Sequence, residues 1–188
     1  MLKLAVIAGT NREGSRTLRL ARHVLYRFEA AGSVGTLVDL RELPPDALLS
    51  TAYDQRPPEL EPMVDAIMEA DGLVVVTPEY NGGFPGVLKL FIDLLPHPES
   101  VRDRPVCLIG ISKGRWGAMR PVEHLAQLWH YRNGFVFPER LFVHDALEGL
   151  ADDGAPTDAR QLRHLDALVP NYLAFLRRLR GYPDPEEG

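Results

Sequence analysis

The chain has 188 residues, of which 45% are hydrophobic and 25% are charged, with 26 acidic against 21 basic side chains. This length suits one domain with a substantial core, and a formal net charge of −5 argues against nucleic acid or a membrane surface as a partner. The apolar stretches are too short to span a bilayer. Because the single cysteine, Cys107, cannot form an internal disulfide, we expect a cytoplasmic protein.

Five apolar runs alternate with segments of helical periodicity, a pattern typical of a parallel sheet covered by helices. Strands are predicted at residues 2–8, 35–40, 72–77, 105–111 and 135–143. Helices are predicted at residues 15–31, 60–70, 86–95, 120–132 and 157–180. Pro170 is expected to kink or split the last helix, because proline removes a hydrogen bond and clashes with the preceding turn. We expect one domain over residues 1–181 and a frayed tail at residues 182–188.

The loop at residues 9–17 joins the first predicted strand to the first helix. A helix N-terminus offers free backbone N–H groups and the positive end of the helix dipole to an anion. The loop adds three hydroxyl groups and two guanidinium groups, those of Thr10, Ser15, Thr17, Arg12 and Arg16. These donors favour a phosphate as the occupant. A hydrophilic strand–helix connection, with Ser15 capping the helix, is the alternative.

Two common nucleotide motifs are absent from this loop. It contains no Gly-x-x-x-x-Gly-Lys-Ser/Thr and no lysine, and Gly9 and Gly14 are too far apart for the Gly-x-Gly-x-x-Gly fingerprint. Asp39, at the end of the second predicted strand, could otherwise be read as the ribose-binding acid of that fingerprint. Without the glycines, we expect Asp39 to be a strand-end residue facing solvent.

The loop at residues 77–86 follows the third predicted strand and contains two prolines and three glycines. Such a composition fixes a tight backbone path that can form a wall against a flat aromatic ligand. Tyr80 and Phe84 can supply apolar rings, while Glu79 and Asn81 can shape the turn or bond locally. A Gly/Pro-rich loop that merely turns the chain is the alternative.

The loop at residues 112–120 follows the fourth predicted strand and is again rich in glycine. In open α/β sheets, ligands bind beyond the carboxyl ends of the strands, where the strand order reverses. The three loops all follow such ends, so we expect them to form one pocket. Lys113, Arg115 and Arg120 add positive charge to this loop and could meet an anion, or they could simply be solvated.

These segments resemble the NADPH-dependent FMN reductase family of flavodoxin-like flavoproteins, which includes azo, quinone and chromate reductases. The family's Gly-Ser-x-Arg-x-x-Ser-x-Asn/Thr loop is similar to residues 9–17, with Thr10 replacing the usual serine. Its Pro-Glu-Tyr-Asn-Gly-Ser-x-Pro-Gly-x-Leu-Lys loop is similar to residues 78–89, with Gly83 at the serine position. Its Ser-x-Gly-x-x-Gly-Gly-x-Arg loop is similar to residues 112–120, with Ala118 replacing the last glycine.

The resemblance implies a three-layer α/β/α sandwich with a five-stranded parallel sheet in the order 2-1-3-4-5. It implies FMN as cofactor and NADPH or NADH as co-substrate, with electrons passing to a quinone, azo compound, free flavin or metal oxyanion. The FMN phosphate would be held by Thr10, Arg12, Ser15 and Thr17, with Arg16 beside them. The extra phosphate of NADPH could be met by Lys113, Arg115 and Arg120, or these three residues could simply be solvated. The ring would be lined by residues 78–82 (Pro78, Glu79, Tyr80, Asn81 and Gly82), together with Ser112, Gly114 and Gly117. The cofactor would carry the chemistry, so no side chain is assigned as catalytic.

Two other kinds of protein remain open at this point. A non-catalytic electron carrier of flavodoxin type would bind the same cofactor, although the acidic excess is small for such a carrier. An FMN-binding regulatory domain without turnover is the other. The six histidines show no metal-ligand spacing, so no metal is expected.

The predicted helix at residues 86–95 is apolar on nearly every side. One buried stripe is enough for a helix on the surface of a sheet, so the excess suggests a homodimer or homotetramer, as the family commonly forms. A helix buried deeply within one chain would have the same composition.

Overall fold

The computed structural model of the protein describes residues 1–144 and 148–181. Its strands are β1 (Lys3–Ala8), β2 (Val34–Asp39), β3 (Gly72–Pro78), β4 (Pro105–Ile111), β5 (Phe135–Val136) and β6 (Leu141–Val143). Its α-helices are α1 (Arg16–Ala30), α2 (Glu61–Glu69), α3 (Gly86–Leu94), α4 (Met119–Tyr131) and α5 (Ala159–Arg180). Four short 3₁₀ helices lie between residues 40 and 60. The predicted tail at residues 182–188 lies outside the described residues, and the single-domain boundary stays a prediction.

The strands form a parallel sheet in the order β2-β1-β3-β4-β5, and β6 also pairs with β4. This is the flavodoxin-like order that the sequence predicts. Every pairing is parallel, so the connections from β1 to β2, β2 to β3, β3 to β4 and β4 to β5 must cross over through a helix or a long loop. The carboxyl ends of β1, β3 and β4 therefore lie at the same edge of the sheet.

The predicted fifth strand is interrupted. Residues 135–143 form β5 and β6, which pair with the two ends of β4 and leave the centre of β4 without a strand partner on that side. The amide of Phe137 still donates to the carbonyl of Val106 at 2.8 Å. The strand breaks at the next residue, Pro138, a residue type that is rare inside strands because its ring fixes φ.

The sheet separates two apolar cores, as the alternation along β1 shows. Leu4, Val6 and Ala8 face one core, whereas Ala5 and Ile7 face the other. The first core is closed by α1 and α5, and the second by α2, α3 and α4. Both faces of the sheet are therefore covered, which explains why its strands are continuous apolar runs.

Helix α5 is continuous through Pro170, so the expected split does not occur. Proline in a helix interior costs about 3 kcal/mol. Here the residue itself is exposed, while buried apolar side chains on both sides of it pack into the core. These side chains are Leu165, Leu168, Val169, Tyr172, Leu173 and Leu176. Burying several such groups outweighs the loss of one backbone hydrogen bond.

Asp39 ends β2, as expected, but it does not face solvent: its side chain is 4% exposed. The guanidinium of Arg41 donates to both carboxylate oxygens, at 2.5 to 3.1 Å, and the backbone amide of Arg41 donates to Oδ1. Burial raises the pKa of the Asp39 carboxyl, but the hydrogen bonds and charge of Arg41 outweigh this effect, so its pKa lies below the ordinary value. The buried carboxylate is thus a structural group.

Replacement of Asp39 by asparagine is expected to lower the free energy of unfolding by about 1–2 kcal/mol at neutral pH. Because the folded-state pKa is lowered, this stabilisation is present above the unfolded-state pKa and is lost as the pH falls through the folded-state value. Urea denaturation of wild type and D39N at several pH values should show the gap closing on acidification. A gap that stays constant down to pH ~2 would contradict the assignment.

Candidate functional site

A cavity of about 480 Å³ lies beyond the carboxyl ends of β1, β3 and β4. Its walls come from the three loops that the sequence singles out. The first loop contributes residues 12–17 and the second contributes residues 78–80. The third contributes residues 111–114, Trp116 and Arg120. The expectation that the three loops meet is confirmed by this geometry.

Nine of the thirteen predicted site residues line this cavity: Arg12, Ser15, Arg16, Thr17, Pro78, Glu79, Tyr80, Ser112 and Gly114. The other four, Thr10, Asn81, Gly82 and Gly117, are not among its lining residues. Thr10 and Gly117 are buried beneath the loops. Asn81 and Gly82 form a turn at the edge of the site. The contacts with FMN proposed for all thirteen residues stay predictions.

The first loop presents its donors at the N-terminus of α1. The Ser15 hydroxyl accepts from the amide of Thr17 at 3.1 Å, so Ser15 caps the helix and keeps its own proton available for donation. The first turn of α1 contains no acidic residue. Among the residues that the structure describes, no carboxylate lies within ion-pair distance of the guanidinium groups of Arg12 and Arg16. This end of the cavity is therefore suited to a dianion.

Thr10 ties the first loop to the second. Its Oγ1 shares a 2.8 Å hydrogen bond with the hydroxyl of Tyr80 and accepts from the amide of Arg12 at 3.2 Å. Thr10 is 1% exposed, whereas Tyr80 is 37% exposed and lines the cavity. The hydrogen bond therefore fixes the position of the Tyr80 ring relative to the backbone that carries Arg12.

Replacement of Tyr80 by phenylalanine is expected to destabilise the protein by about 1 kcal/mol, because the Thr10 hydroxyl loses a partner in a nearly dry environment. A double-mutant cycle with Thr10→Val, measured by urea denaturation, isolates this pair. We expect the two substitutions to be non-additive. Fully additive effects would show that the hydrogen bond contributes nothing.

The second loop turns at Asn81 and Gly82, which both have positive φ, 52° and 79°. The amide of Gly83 donates to the carbonyl of Tyr80 at 3.0 Å, and the amide of Tyr80 donates to the carbonyl of Gly83 at 2.9 Å. Two consecutive left-handed residues closed in this way form a type I′ turn, for which Asn-Gly is the preferred pair. The turn holds residues 78–80 against the cavity.

Glu79 forms an ion pair with Arg120, which lines the cavity from the end of the third loop. The guanidinium of Arg120 donates to the Glu79 carboxylate at 3.0 Å, and the Glu79 side chain is 16% exposed. The pair connects the second loop to the beginning of α4. Because the carboxylate is already engaged, Glu79 shapes the site rather than acting as a free base.

The third loop is anchored at both ends. Ser112 Oγ accepts from the amide of Ala118 at 3.2 Å and donates to the carbonyl of Gly114 at 3.1 Å. Gly117 has a φ of 55° and packs so closely on Phe142 that an added Cβ would lie 2.8 Å from the carbonyl carbon of that residue. The base of the loop is therefore fixed, and residues 113–116 form its exposed tip.

Sequence reasoning did not assign three lining residues, Glu13, Gly14 and Ile111. The first two occupy variable positions inside the phosphate-type loop, so their residue types gave no signal. Ile111 is the last residue of β4 and was predicted only as the end of that strand. Lys113, Trp116 and Arg120 also line the cavity, although they were not among the predicted FMN contacts.

The residues present fit FMN. A volume of about 480 Å³ falls within the range of roughly 300–1,000 Å³ that is common for small-molecule pockets. The donors at the α1 end match a terminal phosphate, and Pro78 and Tyr80 give the opposite wall an apolar and aromatic surface. Among the described residues, no group of three or more His, Cys, Asp or Glu side chains could hold a metal ion. In the same part of the chain, no helix has the length and apolarity to cross a bilayer.

The fold is a parallel sheet covered by helices on both faces. Its loop after β1 is suited to a phosphate and its loop after β3 to an aromatic ring, a combination that defines a flavin-binding α/β protein. The chain belongs to the NADPH-dependent FMN reductase family, whose sequence pattern matches residues 2–148. It is an FMN-dependent NAD(P)H oxidoreductase that uses a small-molecule electron acceptor.

Individual relatives agree with this assignment. The chain is 32% identical over 185 residues to a 2-hydroxy-1,4-benzoquinone reductase from Burkholderia sp., covering 95% of this chain and 98% of that protein. It is 34% identical over 123 residues to the NADH:(hydroxy)cinnamate reductase subunit CrdA from Vibrio ruber, covering 65% of this chain but only 59% of that subunit. The fold is similar to that of the flavoenzyme FerB from Paracoccus denitrificans, with a TM-score of 0.79, 24% identity, and coverage of 95% and 98%.

Proposed function

We propose that FMN binds in the cavity formed by the three loops and that the protein uses it to reduce quinones with NAD(P)H. The observation that carries this proposal is the convergence of the loops. Arg12 and Arg16, which have no carboxylate partner among the described residues, lie with the N-terminus of α1 at the same cavity that Pro78 and Tyr80 line. FMN would accept a hydride from the nicotinamide and pass the electrons to the acceptor.

The residues of the chain supply position and charge. Arg12, Arg16 and the hydroxyl of Ser15 would hold the phosphate. Tyr80, fixed by its hydrogen bond to Thr10, would set the depth at which the ring lies. The Glu79–Arg120 pair keeps a carboxylate engaged at the edge of the cavity, so that it does not stand as an unpaired negative charge beside a ring that becomes electron-rich on reduction.

A quinone is the favoured acceptor because two observations agree. One relative is named as a reductase of a benzoquinone. The exposed sides of Tyr80 and Trp116, 37% and 55% exposed, offer flat apolar surfaces at the cavity to a planar ring. Azo compounds are planar as well and make the natural comparison substrates.

The test uses the purified protein loaded with FMN. Anaerobic addition of NADPH or NADH should bleach the flavin absorbance. A benzoquinone added afterwards should restore the absorbance at a rate at least as fast as steady-state turnover. A flavin that is reduced but reoxidised equally fast by oxygen and by every acceptor would contradict a quinone reductase. A colourless protein that takes up no FMN would contradict the whole proposal.

Self-association remains a proposal. Most of the apolar surface of α3 is buried within the chain, at Leu88, Phe91, Ile92 and Leu94, which accounts for much of the excess noted in its sequence. Val87 and Leu90 are half-buried and leave some apolar surface for a second copy. Light scattering at micromolar concentration would decide between a monomer and a dimer or tetramer. The cytoplasmic location likewise stays a prediction, supported by the use of NAD(P)H.

A further inference from the structure

Two basic side chains of the third loop, Lys113 and Arg115, have no role among the charges assigned so far around the cavity. Arg12 and Arg16 lie at the end proposed for the FMN phosphate, and Arg120 is paired with Glu79. Lys113 lines the cavity, and Arg115 follows two residues later. Across residues 1–144 and 148–181, no carboxylate lies within ion-pair distance of either side chain.

The loop presents these cations from a fixed base. Ser112 bonds to the amide of Ala118 across the loop, and the amide of Gly117 donates to the carbonyl of Gly114 at 3.2 Å. Gly117 is buried against Phe142, as described above. The tip at residues 113–116 is therefore held between anchored ends, and the cost of ordering it is largely met before any ligand arrives.

Trp116 lies on the same tip and is 55% exposed although it lines the cavity. An exposed indole next to a lysine and an arginine is an unusual surface, since large aromatic groups are normally buried. Its face can stack on a purine, as aromatic side chains do with nucleic acid bases. A basic and aromatic tip of this kind matches a phosphorylated nucleoside.

We infer that the tip of the third loop binds the adenosine end of the nicotinamide co-substrate, with Lys113 and Arg115 recognising the 2′-phosphate that distinguishes NADPH from NADH. The inference rests on the proposed function, because it requires a flavin in the cavity that the nicotinamide end can reach. Arg115 provides a forked donor suited to a phosphate, and Lys113 provides a second charge. Trp116 stacks on the adenine, which both nucleotides share.

The kinetic test compares the two nucleotides in the reductive half-reaction. In FMN-loaded Lys113→Gln/Arg115→Gln, the ratio of kcat/KM for NADPH to that for NADH should fall about tenfold, the effect of losing partly solvated charge–phosphate contacts. The wild-type ratio should also fall as ionic strength rises. Trp116→Ala should weaken both nucleotides and leave the ratio in place.

Arg102→Gln is the matched control. It removes one exposed cation just before β4, whereas the third loop follows the other end of that strand, about 20 Å away. We expect this variant to keep the wild-type ratio. A ratio that drops equally in the control would show that only the overall charge of the protein matters, which would overturn the inference.

Binding provides a readout that does not depend on turnover. By calorimetry, FMN-loaded wild type should bind adenosine 2′,5′-bisphosphate at least tenfold more tightly than adenosine 5′-monophosphate, and the double variant should lose this difference. Equal affinities in wild type, or release of FMN by the bisphosphate, would overturn the inference. A protein that neither nucleotide reduces would contradict the proposed function instead, so the two failures are distinguishable.

Discussion

Replacement of both Arg12 and Arg16 by alanine is expected to weaken FMN binding about a hundredfold, with about tenfold for either single substitution. The two guanidinium groups line the phosphate end of the cavity and have no carboxylate partner in the described part of the chain. Each would make a charge-assisted contact with the phosphate, and together with the α1 N-terminus they would balance its double charge.

Riboflavin separates the phosphate contribution from the ring contribution. Because it lacks the phosphate, its affinity should be nearly the same for wild type and for the double variant in a fluorescence titration. Arg22→Ala, which removes an exposed arginine from the second turn of α1, should retain FMN affinity within about twofold. A double variant that loses riboflavin and FMN equally would show a general collapse of the site.

Gly110→Ala should be the most destabilising glycine substitution near the site, at about 3 kcal/mol. Gly110 is the second-to-last residue of β4 and lies under the third loop. An added Cβ would lie 2.4 Å from the carbonyl oxygen of Gly117 and 3.0 Å from that of Ala118. These are backbone atoms of the loop base, so they cannot move aside as a flexible side chain would.

Gly86→Ala is the matched control for the chemical change. Gly86 begins α3, and an added Cβ would meet nothing within 4 Å. Alanine there should be neutral or slightly stabilising, since it favours the helix over the unfolded chain. Guanidinium denaturation of G110A and G86A measures both values. Equal stabilities would show that the third loop can shift at little cost.

The sheet order and the three loops could be predicted because they depend on local patterns. Continuous apolar runs give buried parallel strands, and the loops lie wherever such a strand ends. The alternative interpretation of the first loop had Ser15 as a helix cap, and its hydroxyl accepts from the amide of Thr17 as a cap requires. Features that depend on residues close together in the sequence could therefore be predicted.

Features that depend on how side chains and loops pack in the folded protein were missed or misread. Asp39 is buried because Arg41 folds back on it, which composition does not indicate. Helix α5 continues through Pro170 because its core contacts outweigh the local cost of proline. The hydrogen bond between Thr10 and Tyr80 joins residues that are 70 positions apart. Ala118 adopts a φ of 65°, which its residue type disfavours, because the loop and α4 require that geometry.

The interruption at Pro138 restricts how folded copies of this protein can assemble. In the part of the chain that the structure describes, β5 and β6 form one outer margin of the sheet, and neither exceeds three residues. A long unbroken margin would offer a row of free amides and carbonyls on which a foreign strand could grow into a fibre. Here the row is cut into two short segments, so this margin offers a foreign strand no continuous partner.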